Sequence, residues 1–173
     1  MRENFTITFT IHQFYGKFTV GSAYTEDWIH LNVIGKFTRD DLKSAILHEM
    51  HHLARGYIFF TKKKISLADT LFSEGLAVVF EMEQVPGRVP LYAKYTNNFI
   101  KRWLPELRKE NLWGTDFSHD EWFWGKRGKP SQLGYKIGTY LVRQIKKHHR
   151  ELTAERLVKK NAEYLLKLSK VNL

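Results

Sequence analysis

A chain of 173 residues without a single cysteine cannot contain a disulfide, a thiolate metal site or a cysteine nucleophile. The net charge is +10, and residues 101–173 hold 17 Lys and Arg against 8 Asp and Glu. A basic half can attract nucleic acid or an acidic partner, but a pair of solvated basic helices is the simpler interpretation. The composition, 43% hydrophobic and 27% charged, is typical of a globular protein, and we expect one domain over residues 1–173.

The beginning of the sequence alternates apolar and polar residues, which is typical of strands and not of a secretory signal. No apolar run approaches the ~18 residues of a membrane span, so we expect a cytoplasmic chain with no membrane span. The pattern predicts three strands within residues 5–34, at Phe5–Ile11, Lys17–Tyr24 and Trp28–Ile34. It then predicts helices over residues 39–170, and the fold class is therefore α+β, with a short mixed sheet followed by a mostly helical body.

Five helices are predicted, and a long loop lies between the third and the fourth. Thr38 and Asp41 form a capping box before the first helix, which Gly56 ends. The predicted helices after it are Leu67–Glu83, Leu91–Arg108, Ser131–His148 and Thr153–Lys170. The loop from Asn111 to Pro130 is rich in aromatic residues, and long ordered loops are often functional.

The first predicted helix carries a metal-binding pattern. Residues 48–52 have the sequence His-Glu-Met-His-His, which fits H-E-x-x-H. Residues at i and i+4 project from one helical face, so His48 and His52 can bind one zinc ion. Glu49, about 100° round the helix, can take a proton from a zinc-activated water as that water attacks a carbonyl. We interpret His51 as outside the ligand set, either a neighbour of a ligand or an exposed histidine.

A catalytic zinc site has three protein ligands and an open position. The sequence has no histidine six residues beyond His52, but Glu74 stands on the next predicted helix, and we expect it to be the third ligand. Gly75 directly after it would let two helices approach closely around the ion. The alternatives are Glu81 and Glu83, which we expect to point away if Glu74 points towards the ion.

These residues resemble the gluzincin clan of metallopeptidases, which carry H-E-x-x-H followed by a glutamate on a later helix. A closer resemblance is to the DUF2268 family of predicted zinc-dependent proteases, and it runs from about residue 16 to residue 145. Met50 departs from the aromatic residue usual at its position in that family. The resemblance is carried by His48–His52 with Arg55, Glu74–Ala77, Trp122–Gly125 and Gly134–Gly138. It implies a gluzincin-like fold, a zinc site and a peptide or protein substrate.

The resemblance also implies a role for Tyr135. In the aminopeptidase branch of the clan, a tyrosine in a Tyr-x-x-Gly segment donates a hydrogen bond to the oxyanion formed during hydrolysis, and Tyr135 with Gly138 matches that segment. We expect the glycines at 134 and 138 to leave this helical face thin enough to approach a substrate backbone. His119 and Tyr140 are the other candidate donors.

The sequence therefore predicts a zinc-dependent peptidase with metal ligands His48, His52 and Glu74. One alternative is a zinc hydrolase that acts on another amide or ester. Another is a basic binding protein with an idle zinc site, although we expect no nucleic-acid partner. The intact Glu49 argues against an idle site, because a structural zinc site needs no general base. The sequence does not indicate an oligomeric state.

Overall fold

The computed structural model describes residues 6–12, 17–57 and 64–173 and has the expected α+β architecture, with a small sheet followed by a helical body. The strands are β1 (Thr6–His12), β2 (Lys17–Thr25) and β3 (Trp28–Gly35). The α-helices are α1 (Arg39–Arg55), α2 (Leu67–Gln84), α3 (Asn97–Arg108), α4 (Leu133–His148), α5 (Ala154–Leu157) and α6 (Ala162–Ser169). No helix in this described part of the chain is long and apolar enough to cross a membrane. Phe5, where the first strand was predicted to begin, lies outside the described residues.

The sheet is mixed, as predicted, and has the strand order β1-β3-β2. The central strand β3 pairs in parallel with β1 and in antiparallel with β2. Its alternate residues Ile29, Leu31 and Val33 are buried, and they pack against the apolar residues of α1. This period-two burial holds α1 against one face of the sheet. The strand order makes β1 and β2 the edge strands among the described strands.

Helix α1 begins at the capping box predicted from the sequence, and a similar cap begins α2. The Thr38 hydroxyl oxygen accepts a hydrogen bond from the backbone N–H of Asp41, and the Asp41 carboxylate accepts one from the backbone N–H of Thr38. Gly56 ends α1 in the left-handed conformation. Ser66 caps α2 in the same way by accepting from the Asp69 N–H. Helix α2 is buried along most of its length because it packs against both α1 and α4. It therefore connects the sheet side of the molecule to the helical core.

Two glycines allow α2 and α4 to approach at backbone distance. A Cβ atom at Gly75 would lie 2.3 Å from the carbonyl carbon of Gly138, and one at Gly138 would lie 2.2 Å from the carbonyl oxygen of Leu71. The expectation that glycines 134 and 138 leave a thin face for a substrate is wrong. The face at Gly138 is filled by α2, and the space beside Gly134 is filled by the ring of Phe123.

Several predicted boundaries in the second half of the chain are wrong. The third predicted helix is a short 3₁₀ helix, Leu91–Ala93, followed by α3, which begins only after Thr96 caps it. The predicted aromatic loop contains a π-helix, Asp120–Trp124, whose Trp122 and Phe123 belong to the core. The fourth helix begins at Leu133 rather than Ser131, because Gln132 is left-handed. The fifth is two helices, α5 and α6, separated by residues 158–161.

Candidate metal centre

Helix α1 brings the two motif histidines together, and α2 places a carboxylate between them. The imidazole rings of His48 and His52 lie one helical turn apart, with centroids separated by 4.7 Å. The Oε2 atom of Glu74 lies 3.2 Å from His48 Nε2 and 3.3 Å from His52 Nε2. All three side chains are buried. The three predicted metal ligands therefore converge on one point between two packed helices.

The distances from the Glu74 oxygen to the two histidine nitrogens are close to the ligand–ligand distances of a tetrahedral zinc site. With zinc–ligand distances of about 2.0–2.2 Å, two ligand atoms of a tetrahedron lie about 3.3–3.6 Å apart. The N···O separation of 3.3 Å for His52 equals the lower limit of that range, and the separation of 3.2 Å for His48 lies just below it. Two imidazole nitrogens and a carboxylate oxygen also form the donor set of many catalytic zinc sites. His48, His52 and Glu74 can thus hold zinc.

Glu49 lies beside this point and contacts the strand β2. Its ligand oxygen and the ring nitrogens of His48 and His52 lie within 4.8 Å of one another. Its carboxylate occupies the space above Gly21 in β2, where a Cβ atom would be 2.4 Å from Oε1. Burial raises the pKa of Glu49, and the charges of His52 and His48 offset this only in part. A buried carboxylate with a raised pKa is suited to accepting and returning a proton.

The charges of His48, His52 and Glu74 affect one another strongly. Burial opposes ionisation of Glu74, but the imidazoles of His52 and His48 outweigh it and lower the pKa of its carboxyl. Burial likewise opposes protonation of His48, yet the carboxylates of Glu74 and Glu81 raise the pKa of its imidazole. The centre therefore concentrates negative charge around buried imidazoles, which favours a cation there.

Glu81 was expected to point away if Glu74 points towards the ion, but it lies on the same face of α2 and contacts the far side of the His48 ring. It is 2% exposed, and its Oε1 atom lies 3.6 Å from His48 Nδ1. The seven residues that separate it from Glu74 make almost two full turns, so both side chains lie on one face of α2. Its Oε1 also accepts a 2.5 Å hydrogen bond from the hydroxyl of Tyr92, in the 3₁₀ helix. Glu83 does turn away, and its carboxylate contacts Lys146 and the Ala154 N–H.

His51 and Arg55 hold α1 to the C-terminal helices. The interpretation of His51 as an exposed residue is wrong, because it is 2% exposed and its Nε2 lies 3.4 Å from the carbonyl oxygen of Ala154. Burial lowers the pKa of His51 to about 3, so the ring is neutral at pH 7. Arg55 donates to Ser73 Oγ and to the carbonyl oxygens of Val158 and Lys160. These contacts fix the end of α1 that carries His52.

Tyr135 lies on the first turn of α4, beside the centre. Its ring makes edge contacts with Tyr92 and Phe123, at centroid distances of 5.1 and 5.2 Å. Burial and the Glu74 carboxylate raise the pKa of its hydroxyl, so the hydroxyl keeps its proton and can donate it in a hydrogen bond. The alternative Tyr140 faces the ring of Tyr95, which contacts Arg143.

His119, the other alternative donor, stacks on Phe123 with ring centroids 4.4 Å apart. Burial lowers the pKa of its imidazole, and the Glu74 carboxylate offsets part of that effect, so His119 also lies on the side of the molecule that holds the centre.

Another nearby residue, Tyr57, was not identified from the sequence. Its ring lies 4.9 Å from that of His52, and burial and the Glu74 carboxylate raise the pKa of its hydroxyl. Tyr57 directly follows the glycine that ends α1, where no periodic pattern could identify it.

One of three comparisons with known proteins gave a match. The chain matches the DUF2268 family, described as a predicted Zn-dependent protease, over residues 14–167. Searches of curated proteins and of solved structures gave no significant match. The matched region contains the residues of the centre and the elements that position them. The chain therefore belongs to the DUF2268 family of predicted zinc-dependent proteases.

Proposed function

We propose that this protein is a zinc peptidase that hydrolyses peptide bonds in peptides or proteins. The observation that carries the proposal is the convergence of His48 Nε2 and His52 Nε2 on Glu74 Oε2, with the buried Glu49 carboxylate beside them. We infer a distant relationship to the gluzincin clan from the same arrangement, because the two histidines are on one helix and the glutamate is on the next.

In this proposal His48, His52 and Glu74 hold the metal. When bound, zinc supplies a Lewis acid that polarises a carbonyl and lowers the pKa of water to about 7. Glu49 takes a proton from the attacking water and returns it to the departing amine, a role to which its burial and raised pKa are suited. Tyr135 donates a hydrogen bond to the carbonyl oxygen as negative charge develops there.

The position of β2 favours a peptide over a smaller amide or ester. Among the described strands β2 pairs only with β3, so its other edge offers backbone groups to an extended chain. That strand passes the Glu49 carboxylate at Gly21. An extended peptide could form backbone hydrogen bonds with several residues of this edge while one of its peptide bonds lies near Glu49. A small ester has no backbone to form these hydrogen bonds.

The test combines metal analysis with cleavage of a peptide library. Mass spectrometry of the native protein is expected to give one zinc per chain, and a quenched fluorogenic peptide library is expected to be cleaved unless a chelator is present. Glu49→Gln should keep its zinc and lose about 10²–10⁴-fold in turnover, the usual effect of removing a general base. His52→Ala should instead lose zinc.

Three other outcomes of this experiment would change the proposed function or the proposed role of Glu49. Full activity in Glu49→Gln would remove Glu49 from the mechanism. Cleavage of small esters or amides but of no peptide would favour the non-peptidase hydrolase. Zinc binding without any hydrolysis, together with tight and salt-dependent binding of an acidic polymer, would favour the binding protein with an idle site.

A further inference from the structure

Glu81 and Tyr92 form a buried hydrogen-bonded pair on the side of His48 that faces away from Glu74. Glu74 lies at the Nε2 atom of His48, whereas Glu81 Oε1 lies 3.6 Å from Nδ1. The Tyr92 hydroxyl donates to that same Glu81 oxygen at 2.5 Å and lies 3.4 Å from Nδ1. A carboxylate that is 2% exposed needs such partners, because burying an unpaired charge is strongly unfavourable.

We propose that Glu81 and Tyr92 are positioning residues that orient His48 for metal binding, an inference that rests on the proposed zinc site. An imidazole that binds a metal through Nε2 carries its hydrogen on Nδ1, and a buried acceptor at Nδ1 fixes both this tautomer and the plane of the ring. The Tyr92 hydroxyl oxygen, 3.4 Å from Nδ1, is the hydrogen-bond acceptor for His48, and the Glu81 carboxylate, 3.6 Å from Nδ1, accepts the proton of that hydroxyl and adds its charge. Tyr92 belongs to a separate element, the 3₁₀ helix Leu91–Ala93, and Glu81 holds its hydroxyl in place by accepting the hydroxyl hydrogen.

Glu81 is not placed to be a fourth ligand. Its oxygen faces the ring nitrogen opposite to the one that contacts Glu74, so the imidazole of His48 stands between the two carboxylates. The second histidine has no comparable support, since His52 Nδ1 is buried without a hydrogen-bond partner among the described residues. Orientation of the ligands by hydrogen bonding is therefore concentrated on His48.

The test measures zinc affinity of the full chain by competition with a chromogenic chelator. Glu81→Gln keeps every ligand and should weaken zinc binding by about 10–100-fold, the usual effect of losing such a supporting partner. Tyr92→Phe should weaken it severalfold. The double variant should lose less than the product of the two single losses, because both residues act on the same nitrogen. Glu83→Gln is the matched control, since it is on the same helix and its carboxylate contacts Lys146 and the Ala154 N–H instead.

A spectroscopic measurement separates positioning from a general effect on stability. With Co²⁺ in place of zinc, the visible absorption bands of Glu81→Gln should shift or change intensity, because the ring of His48 is no longer held in one orientation. The bands of Glu83→Gln should match those of the unmodified chain. Thermal unfolding of each metal-free variant checks that the proteins compared are folded.

Zinc affinity in Glu81→Gln within about twofold of that in Glu83→Gln, with unchanged cobalt bands, would overturn the inference. Should Glu81→Gln fail to fold, Tyr92→Phe decides, and unchanged affinity in that variant overturns it as well. Failure of the peptidase proposal is distinguishable, because it would appear as absent peptide cleavage in a protein that still binds zinc. An unmodified chain that binds no zinc would overturn both.

Discussion

Gly21 lets β2 lie directly against the Glu49 carboxylate. A Cβ atom at this position would lie 2.4 Å from Oε1 and 2.5 Å from Cγ of Glu49, distances that real Cβ atoms do not tolerate. Because Glu49 ends in a flexible carboxylate, Gly21→Ala should displace the general base without unfolding the strand. We expect turnover to fall by about 10²-fold or more, with the zinc content unchanged.

Peptide cleavage and metal content, measured on the same sample, check this expectation. Ser22→Ala is the matched control, because it adds no atom and changes the next residue of the same strand. Normal turnover in Gly21→Ala would mean that the position of Glu49 against β2 is not required for hydrolysis.

The two tyrosines of α4 have different surroundings, and their variants should differ accordingly. Tyr135→Phe removes a hydroxyl beside the centre and should lower turnover by about 10²–10³-fold, the usual effect of losing one oxyanion donor, with fold and zinc affinity nearly unchanged. Tyr140→Phe changes a ring that faces Tyr95, and it should have little effect. Steady-state kinetics on one quenched peptide compares them. The reverse order would exclude Tyr135 from the mechanism and make His119 the next candidate.

At the scale of residues, the sequence was informative about side chains whose positions follow from helical periodicity. The spacing of His48 and His52 places both rings on one face whatever the rest of the fold, and the structure places Glu74, the glutamate predicted on the next helix, beside them. The same geometry could have found Glu81, since a spacing of seven residues returns to the same face. Tyr57 and Tyr92 could not be found in this way. They lie outside the long helices, where their positions depend on tertiary packing.

At the scale of elements, the contact between α2 and α4 leaves no space for a side chain at Gly138. Gly138→Ala would place a Cβ atom 2.2 Å from the carbonyl oxygen of Leu71, and backbone on both sides leaves no side chain to move. We expect a loss of about 1–3 kcal/mol in the free energy of unfolding, the usual range for overpacking. Chemical denaturation measures this loss.

Lys147→Ala is the control for that experiment, because it leaves the same alanine side chain at an exposed position of α4. It should change the free energy of unfolding by less than about 0.5 kcal/mol. Equal stability of Gly138→Ala and this control would show that the two helices can separate without loss.

The errors at the scale of elements have local physical causes. Apolar periodicity continues across residues 158–161, so it predicted one helix where the side chain of Asn161 caps a second helix by accepting from the Tyr164 N–H. Thr96 does the same for α3. Both caps were visible in the sequence and were outweighed by the periodic pattern. The π-helix had no such signal, because its five residues depend on the packing of Trp122 and Phe123 in the core.

For the whole molecule, zinc should act as a stabilising link between α1 and α2, which carry its ligands. Free zinc at about 100 times its dissociation constant stabilises the folded state by about 2.7 kcal/mol. In a chain of this size that raises Tm by about 5–10 °C. Differential scanning calorimetry with and without a chelator measures the shift. His52→Ala should show none, and a shift of similar size in that variant would mean that zinc binds elsewhere.

The same scan tests the expectation of one domain. The sheet packs on α1, α1 packs on α2, and α2 packs on α4, so the described elements form a continuous series of contacts. A single cooperative transition is the expected result. Two separated transitions would place a domain boundary between the sheet side and the helical core.

His51 and Arg55 contact the C-terminal part of the chain, which is synthesised last, so these contacts can form only late in synthesis. The carbonyl oxygens of Val158 and Lys160 come 103 and 105 residues after Arg55 along the chain, and that of Ala154 comes 103 residues after His51. A ribosome therefore completes α1, with both histidines and Glu49, long before it makes the acceptors that hold the end of this helix. Contacts over so great a sequence separation are among the last that a chain can form. The two histidines and Glu49 thus emerge early, whereas the contacts that hold their helix form only when the C-terminal helices are present.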